Sequence, residues 1–315
     1  MPDPNDPRLG ELVSREPADY ARSAVVIVGC PQDMGVERNH GRLGAREAPA
    51  EIRRAFYRLT PLGLAIDPTQ VFDAGDVPLQ ATLEENAVLH QRIVRRFLAD
   101  GKRVIVLGGG NDISFPDASA LALESRRMLA FNIDAHFDVR ADTPMNSGTP
   151  YRQLLEGGFV APERFHELGY QPQANSAAYL AWLQGRGARV LGLAEWRRRG
   201  VLDVVRDTLA GDDADAIFWG FDMDAVRGAD APGVSALSPL GLSADEFVEL
   251  WTLAGSDPRT RVVELSEVNP RFDVDCRTAR LAAVAVYSYL AALAVPRPRH
   301  TCPHDNAAIH DHHRR

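Results

Sequence analysis

Cysteine is scarce in this chain. Among 315 residues there are three, Cys30, Cys276 and Cys302. An odd number with no C-x-x-C pair carries no disulfide framework, and a reducing cytoplasm is the simplest setting. Long apolar runs are also missing. Nothing approaches 18 consecutive apolar residues, so no segment reads as a membrane span. Residues 1–17 are polar, acidic and proline-rich, without the apolar centre of a signal peptide. Nor is there an excess of basic charge: 35 Lys and Arg face 43 Asp and Glu, a formal net charge of −8. A phosphate-binding surface needs clustered cations, so this balance argues against nucleic acid as a partner. What remains is an ordinary globular profile, 45% hydrophobic and 25% charged. That is enough to build a large core and too apolar for a wholly disordered chain.

Short Val- and Ile-rich runs alternate with longer amphipathic stretches. Strands are expected at 24–28, 70–73, 103–107, 128–133, 166–168, 188–191, 215–221 and 261–265. Helices are expected at 44–59, 81–99, 112–123, 176–184, 195–209, 243–253 and 277–293. About eight strands separated by helices imply βαβ units and an α/β fold with a mostly parallel sheet. No linker or repeat interrupts the middle. One domain is therefore expected over residues 21–295, between a flexible N-terminal segment (1–20) and a His-rich, disordered tail (296–315).

Polar residues fall where such a sheet binds ligands, just beyond the carboxyl ends of strands. Asp134, His136 and Asp138 form D-x-H-x-D directly after an apolar strand. Alternate residues of extended chain share a side, so the three converge. They suit a divalent cation such as Mn²⁺ or Zn²⁺, although a solvated loop would look the same. Asp222 and Asp224 form D-x-D after another apolar strand, a weaker signal that a polar turn or helix cap also explains. Four carboxylates in one site would repel or take up protons. Two divalent ions would neutralise them, which favours a two-metal cluster.

The run Gly108-Gly109-Gly110-Asn111-Asp112 matches no phosphate loop. It reads as a tight turn letting backbone approach the cluster. Asn111 is either a ligand through its amide oxygen or a helix cap, the two readings standing level. Arg140 and Arg152 are either counter-charges to the carboxylates or anchors for an anionic substrate. Ser147 is a small hydrogen bonder at the same rim. Thr149 and Pro150 read as a cap and first-turn pair for a short helix. Glu267 follows the strand at 261–265, where it would pair with a cationic substrate group or with Arg271. Asp273 and Asp275 read as N-terminal charges of the last helix. Cys30 and Cys276 read as small packing residues.

The ordered set Gly108–Asp112, Asp134–Asp138, Ser147–Arg152 (SGTPYR), Phe221–Asp224 and Glu267–Pro270 (EVNP) resembles the ureohydrolase superfamily of arginases and agmatinases. Within it, SGTPYRQLL from Ser147, APGVSA from Ala231, NPRFDVDCRTAR from Asn269 and LGYQPQANS from Leu168 are similar to the formimidoylglutamase branch. The resemblance covers about residues 25–290. It implies a three-layer α/β/α fold and two Mn²⁺ ions per subunit. Asp134 and Asp222 would bridge the ions; His136 and Asp224 would complete one site. Asp138 and the residue at 111 would belong to the other. Most members carry His at that position, so the site beside Asn111 is expected to be weak or empty. Ser147, where arginases and agmatinases have His, points to the formimidoylglutamase branch.

The resemblance further implies hydrolysis of a small-molecule amidine, N-formimidoyl-L-glutamate, to L-glutamate and formamide in the cytoplasm, in a chain compatible with a homo-oligomer. Asp138 and Glu267 would be the catalytic residues. Asp138 would pass a proton to the leaving amine and Glu267 would hold the amidinium. Arg140, Ser147 and Arg152 would bind the rest of the substrate. Two alternatives stand beside this one: an amidinohydrolase for a guanidino acid or an agmatine- or arginine-like substrate, and a metal-poor paralogue without activity, suggested by Asn111.

Overall fold

A computed structural model describes residues 3–293. Eight strands form one sheet: β1 (Val25–Gly29), β2 (Val71–Asp76), β3 (Arg103–Leu107), β4 (Met128–Ile133), β5 (Phe165–Tyr170), β6 (Arg189–Gly192), β7 (Ala216–Asp222) and β8 (Thr260–Ser266). Their spatial order is β2-β1-β3-β8-β7-β4-β5-β6, and every pairing is parallel. The expected α/β fold with about eight parallel strands is therefore the one observed.

The central strands are largely apolar because both faces are covered, with Asn132 in β4 and Glu264 in β8 among the buried polar exceptions. Ile105, Leu107, Phe131, Trp219, Phe221 and Val263 pack on one face against helices Ala48–Phe56, Ala244–Ser256 and Arg277–Ala291. Val104, Val106, Ala130, Phe218 and Val262 pack on the other against helices Leu83–Ala99, Ser114–Ala122 and Ala177–Arg186. Alternate residues of each strand thus feed two cores, and the three layers follow. Thr82 with Glu85 and Ser243 with Glu246 close capping boxes at two of these helices. Asp273 accepts the backbone N–H groups of Thr278 and Ala279 at 3.0 Å each, so it does act at the start of the last helix.

The N-terminal stretch departs from expectation. Leu9 is fully buried, its N–H donates to the Leu59 carbonyl at 2.9 Å, and Ser14 bridges to Phe72 beside β2. This segment is seated on the body because Leu9 and Val13 supply apolar anchors between its polar residues. The expected helix over 195–209 is two, Leu193–Arg199 and Val201–Gly211, broken where Gly200 takes φ +87°. The His-rich tail lies outside the described residues.

Strands β3, β8, β7 and β4 are consecutive across the middle of the sheet. They are the four whose carboxyl ends lead into the polar motifs. Parallel pairing puts those ends on one edge, so chain segments more than 100 residues apart meet there.

Candidate metal centre and active site

Each aspartate pair is built by the same local device. Asp134 follows β4 and its Oδ1 accepts the His136 N–H at 2.7 Å. Asp222 ends β7 and its Oδ1 accepts the Asp224 N–H at 2.8 Å. A side chain bonding the backbone two residues on is the Asx turn, which explains why Asp heads both motifs. Asn175 braces the first loop, accepting from the Phe137 N–H at 2.9 Å and donating to the Ala135 carbonyl at 2.7 Å.

The two motifs converge. Ligand-type atoms of Asp134, His136 and Asp224 lie within 4.8 Å of one another, and so do those of Asp134, Asp138 and Asp222. The His136 Nδ1 is 3.1 Å from Asp224 Oδ2 and 3.4 Å from Asp134 Oδ1. Asp134, Asp222 and Asp224 are buried. Burial first, and then the Asp224 charge, push Asp134 and Asp222 well above the usual carboxylate range. Burial also lifts Asp138 to about 6. The Asp224 charge raises the His136 imidazole; burial opposes the ionised form of Asp224, but the His136 cation together with hydrogen bonds from its neighbours lowers that carboxyl overall. Asp224 Oδ1 and Glu267 Oε2 are buried with no hydrogen-bond partner. A crowded acidic cluster with orphaned oxygens and one imidazole fits hard or borderline divalent cations.

Glu267 sits just past β8, buried, with Oε1 accepting the Asn111 backbone N–H at 2.9 Å. Burial lifts its carboxyl to about 8. It does not pair with Arg271, whose guanidinium goes to Glu47 at 2.7 Å. Asp138 and Glu267 are two of the five non-glycine residues with positive φ among the described residues, +46° and +61°. Such backbone costs about 1–2 kcal/mol per residue and persists only where the surroundings dictate it. The glycine turn permits the approach: a Cβ on Gly109 would stand 1.7 Å from the Gln32 carbonyl oxygen.

A cavity of about 490 Å³ opens over these residues, lined by His136, Asp138, Arg140, Ser147, Asp222, Asp224 and Glu267 among others. Arg140 is exposed at its wall, and among the described residues its one acidic partner is Asp142 at 3.9 Å. Arg152 is elsewhere. Its Nε donates to the Val139 carbonyl at 2.8 Å, its Nη1 pairs with Glu156 at 2.8 Å, and it stacks 4.0 Å over the Trp182 ring. Arg152 therefore braces the loop that carries Arg140 and does not line the cavity. Thr149 does not cap the short helix Pro150–Glu156 either; its hydroxyl donates to the Asn146 carbonyl at 2.9 Å.

Asn111 stands directly beside the cluster. Its Nδ2 donates to Asp138 Oδ2 at 2.6 Å and reaches Asp134 Oδ2 at 3.3 Å. Its Oδ1, the atom that could ligate, accepts from Ser114 and Ser266 and is turned away from the cluster. It makes no capping bond to the following helix. Sequence reasoning missed four wall residues: Asn39, Asn175, Tyr179 and Ser235. Asn39 donates to the Ser147 hydroxyl at 3.0 Å, and it follows a short helix, Met34–Arg38, that carries no strong periodic signal. Asn175 and Ser235 lie within the LGYQPQANS and APGVSA stretches, which gave a signal but no role.

Residues 23–292 match the model of the arginase family. The chain belongs to the arginase family. It is 35% identical over 271 residues to a formimidoylglutamase of Rhodococcus opacus (strain B4), covering 82% of this chain and 83% of the relative. It is 35% identical over 290 residues to that of Geobacillus kaustophilus (strain HTA426), covering 89% and 87%. A crystal structure of Trypanosoma cruzi formiminoglutamase with Mn²⁺ superposes with a TM-score of 0.85 at 33% identity, covering 91% of this chain and 98% of that one. The arginase-like three-layer fold of this family member is thus the one its strand ends and helical layers display.

Proposed function

We propose that the chain hydrolyses N-formimidoyl-L-glutamate to L-glutamate and formamide, using two Mn²⁺ ions. The observation that carries this reading is the convergence of buried Asp134, Asp222 and Asp224 with half-buried His136 and Asp138 beneath a cavity whose wall bears Arg140. Asp134, His136, Asp222 and Asp224 would hold one ion; Asp134, Asp138 and Asp222 would hold the other. When bound, the ions supply the Lewis acidity that makes water a nucleophile near neutral pH.

The protein's own groups do the rest. Glu267, on the floor with an unpartnered oxygen, faces the amidinium and is kept ionised by that cation. Asp138, poised near neutrality by burial, takes a proton at its carboxylate and returns it to the leaving amine. Arg140 meets a substrate carboxylate, with Ser147 and Asn39 as adjacent hydrogen bonders. The net acidity of the chain does not oppose an anionic substrate, because charges beyond about 8 Å are largely screened at physiological salt.

We further infer a cytoplasmic enzyme with no nucleic-acid or membrane partner, compatible with a homo-oligomer. The charge balance supports the first, and among the described residues no helix is long and apolar enough to cross a membrane. The test is turnover by Mn²⁺-loaded protein of formimidoylglutamate, arginine and short guanidino acids. Faster release of glutamate and formamide than of urea is expected. Preference for a guanidino acid would move the assignment to another amidinohydrolase, and no turnover of any would leave the metal-poor paralogue.

A further inference from the structure

N-formimidoyl-L-glutamate carries two carboxylates, and the mechanism above places one of them, on Arg140. The floor of the cavity is closed to the other. Asp138, Asp222, Asp224 and Glu267 stand there, and an anion among them would meet like charge at close range. Outside that cluster, Arg140 is the one cation among the described lining residues. The second carboxylate therefore needs neutral donors on a wall away from the floor.

One stretch of wall supplies them. Asn175, Ser176 and Tyr179 line the cavity where the chain enters the helix Ala177–Arg186. The Asn175 amide is already committed: its Nδ2 donates to the Ala135 and Gln171 carbonyls at 2.7 and 2.9 Å, and its Oδ1 accepts the Phe137 N–H. The Ser176 oxygen accepts the Ala178 N–H at 3.2 Å, and its proton has no acceptor among the described residues. Nor has the Tyr179 hydroxyl any hydrogen-bond partner among them. Three residues apart at the start of one helix, the two side chains share a side. The helix is fixed at this wall. Leu183 is its buried anchor, and the Trp182 ring is stacked by Arg152 at 4.0 Å and by Arg186 at 4.4 Å. Arg152 belongs to the helix Pro150–Glu156, so the stack ties the two helices together.

We infer that Ser176 and Tyr179 are specificity-determining residues whose two hydroxyls hold the substrate carboxylate that Arg140 does not. This rests on the substrate proposed above. A carboxylate has lone pairs enough to accept from both hydroxyls at once. Together with Arg140 the pair selects a dicarboxylic amidine over a guanidino acid that carries a single carboxylate.

The test is steady-state kinetics of Mn²⁺-loaded wild type, Ser176→Ala/Tyr179→Phe and Arg140→Ala. The substrates are N-formimidoyl-L-glutamate and two analogues that each lack one carboxylate, N-formimidoyl-L-glutamine and N-formimidoyl-4-aminobutyrate. The double variant should raise KM for the full substrate about tenfold and keep kcat within about twofold. It should raise KM about tenfold on one analogue and leave it within about twofold on the other, the one without the carboxylate that the hydroxyls hold. Arg140→Ala should spare the opposite analogue. An equal rise on both analogues, which a merely structural wall would give, or no rise on the full substrate, would overturn the subsite. If the double variant does not fold, Tyr179→Phe alone must show the same one-sided pattern, and its failure to do so counts equally against the proposal. Calorimetric binding of L-glutamate, L-glutamine and 4-aminobutyrate separates the subsite from the reaction. A wild type without turnover that prefers glutamate, and loses that preference in Tyr179→Phe, would refute the reaction and leave the subsite standing. No preference for glutamate would overturn the subsite.

Discussion

The two halves of the proposed metal centre share Asp134 and Asp222 and are otherwise built differently. On one side His136 lies between Asp134 and Asp224 and supplies an imidazole nitrogen. On the other, Asp138 lies beside the Asn111 side-chain amide, and no imidazole is present. The metal-free protein reflects the same difference. Asp224 is compensated by the His136 cation, while Asp138 is pushed toward neutrality by burial. One half thus carries an imidazole and the other an amide. A family likeness in the ordered motifs does not make the two halves equivalent.

Replacing the shared ligand should abolish both halves. Asp134→Asn is expected to lower kcat/KM by at least about 1000-fold, since both cations lose a charged ligand. It should also remove the rise in Tm that Mn²⁺ gives the wild type, which at 100 times the dissociation constant corresponds to about 2.7 kcal/mol. A variant that kept its Mn²⁺-induced shift would place the ions elsewhere.

The two arginines offer the next contrast. Arg140→Ala should raise KM about 10- to 100-fold with little change in kcat, the loss of one or two charge-assisted hydrogen bonds to substrate. Arg152→Ala should leave KM within about threefold. Its cost is expected in stability, about 1–2 kcal/mol, from the lost Val139 carbonyl bond and the Trp182 stack. Equal effects on KM would show that the cavity wall has been misread.

Asn111→His places an imidazole where the amide stands. Titration should then show the weaker Mn²⁺ step tightened about tenfold, since imidazole is a better donor for a transition metal. Unchanged stoichiometry and affinity would mean that position 111 does not face the second ion.

The smallest effect is on pH. Asp138 and Glu267 have folded-state pKa values raised to about 6 and about 8. A raised carboxyl favours the folded state while protonated. Its contribution is full below the unfolded pKa near 4 and is lost as pH rises through the folded value. Metal-free protein should therefore lose Tm between pH 5 and about 8, and the rise given by Mn²⁺ should grow over the same interval because ligands bind deprotonated. A metal-free Tm flat across that range would contradict the burial of these groups.

The sheet could be read from sequence because its central strands are apolar on both faces. The runs at β3 and β4 match their expected limits residue for residue. The acidic motifs were readable for a related reason: a polar cluster directly after such a run has only the sheet edge to occupy. What could not be read depends on contacts between distant segments. Arg152 is close in sequence to the cluster, yet Val139, Glu156 and Trp182 hold it away. Asn111 touches Ser266, more than 150 residues on, and no local pattern encodes that contact. The seating of the N-terminal segment rests on Leu9 and Val13, isolated apolar residues in a polar stretch, with the Leu9 and Gly10 N–H groups donating to the Leu59 and Tyr57 carbonyls.

The most direct measurement is the rate at which Mn²⁺-loaded protein releases glutamate from N-formimidoyl-L-glutamate, set beside urea release from arginine. Glutamate should appear with an equal amount of formamide, and urea should not rise above background. Urea outpacing glutamate, or no product from either with both ions bound, would contradict the account.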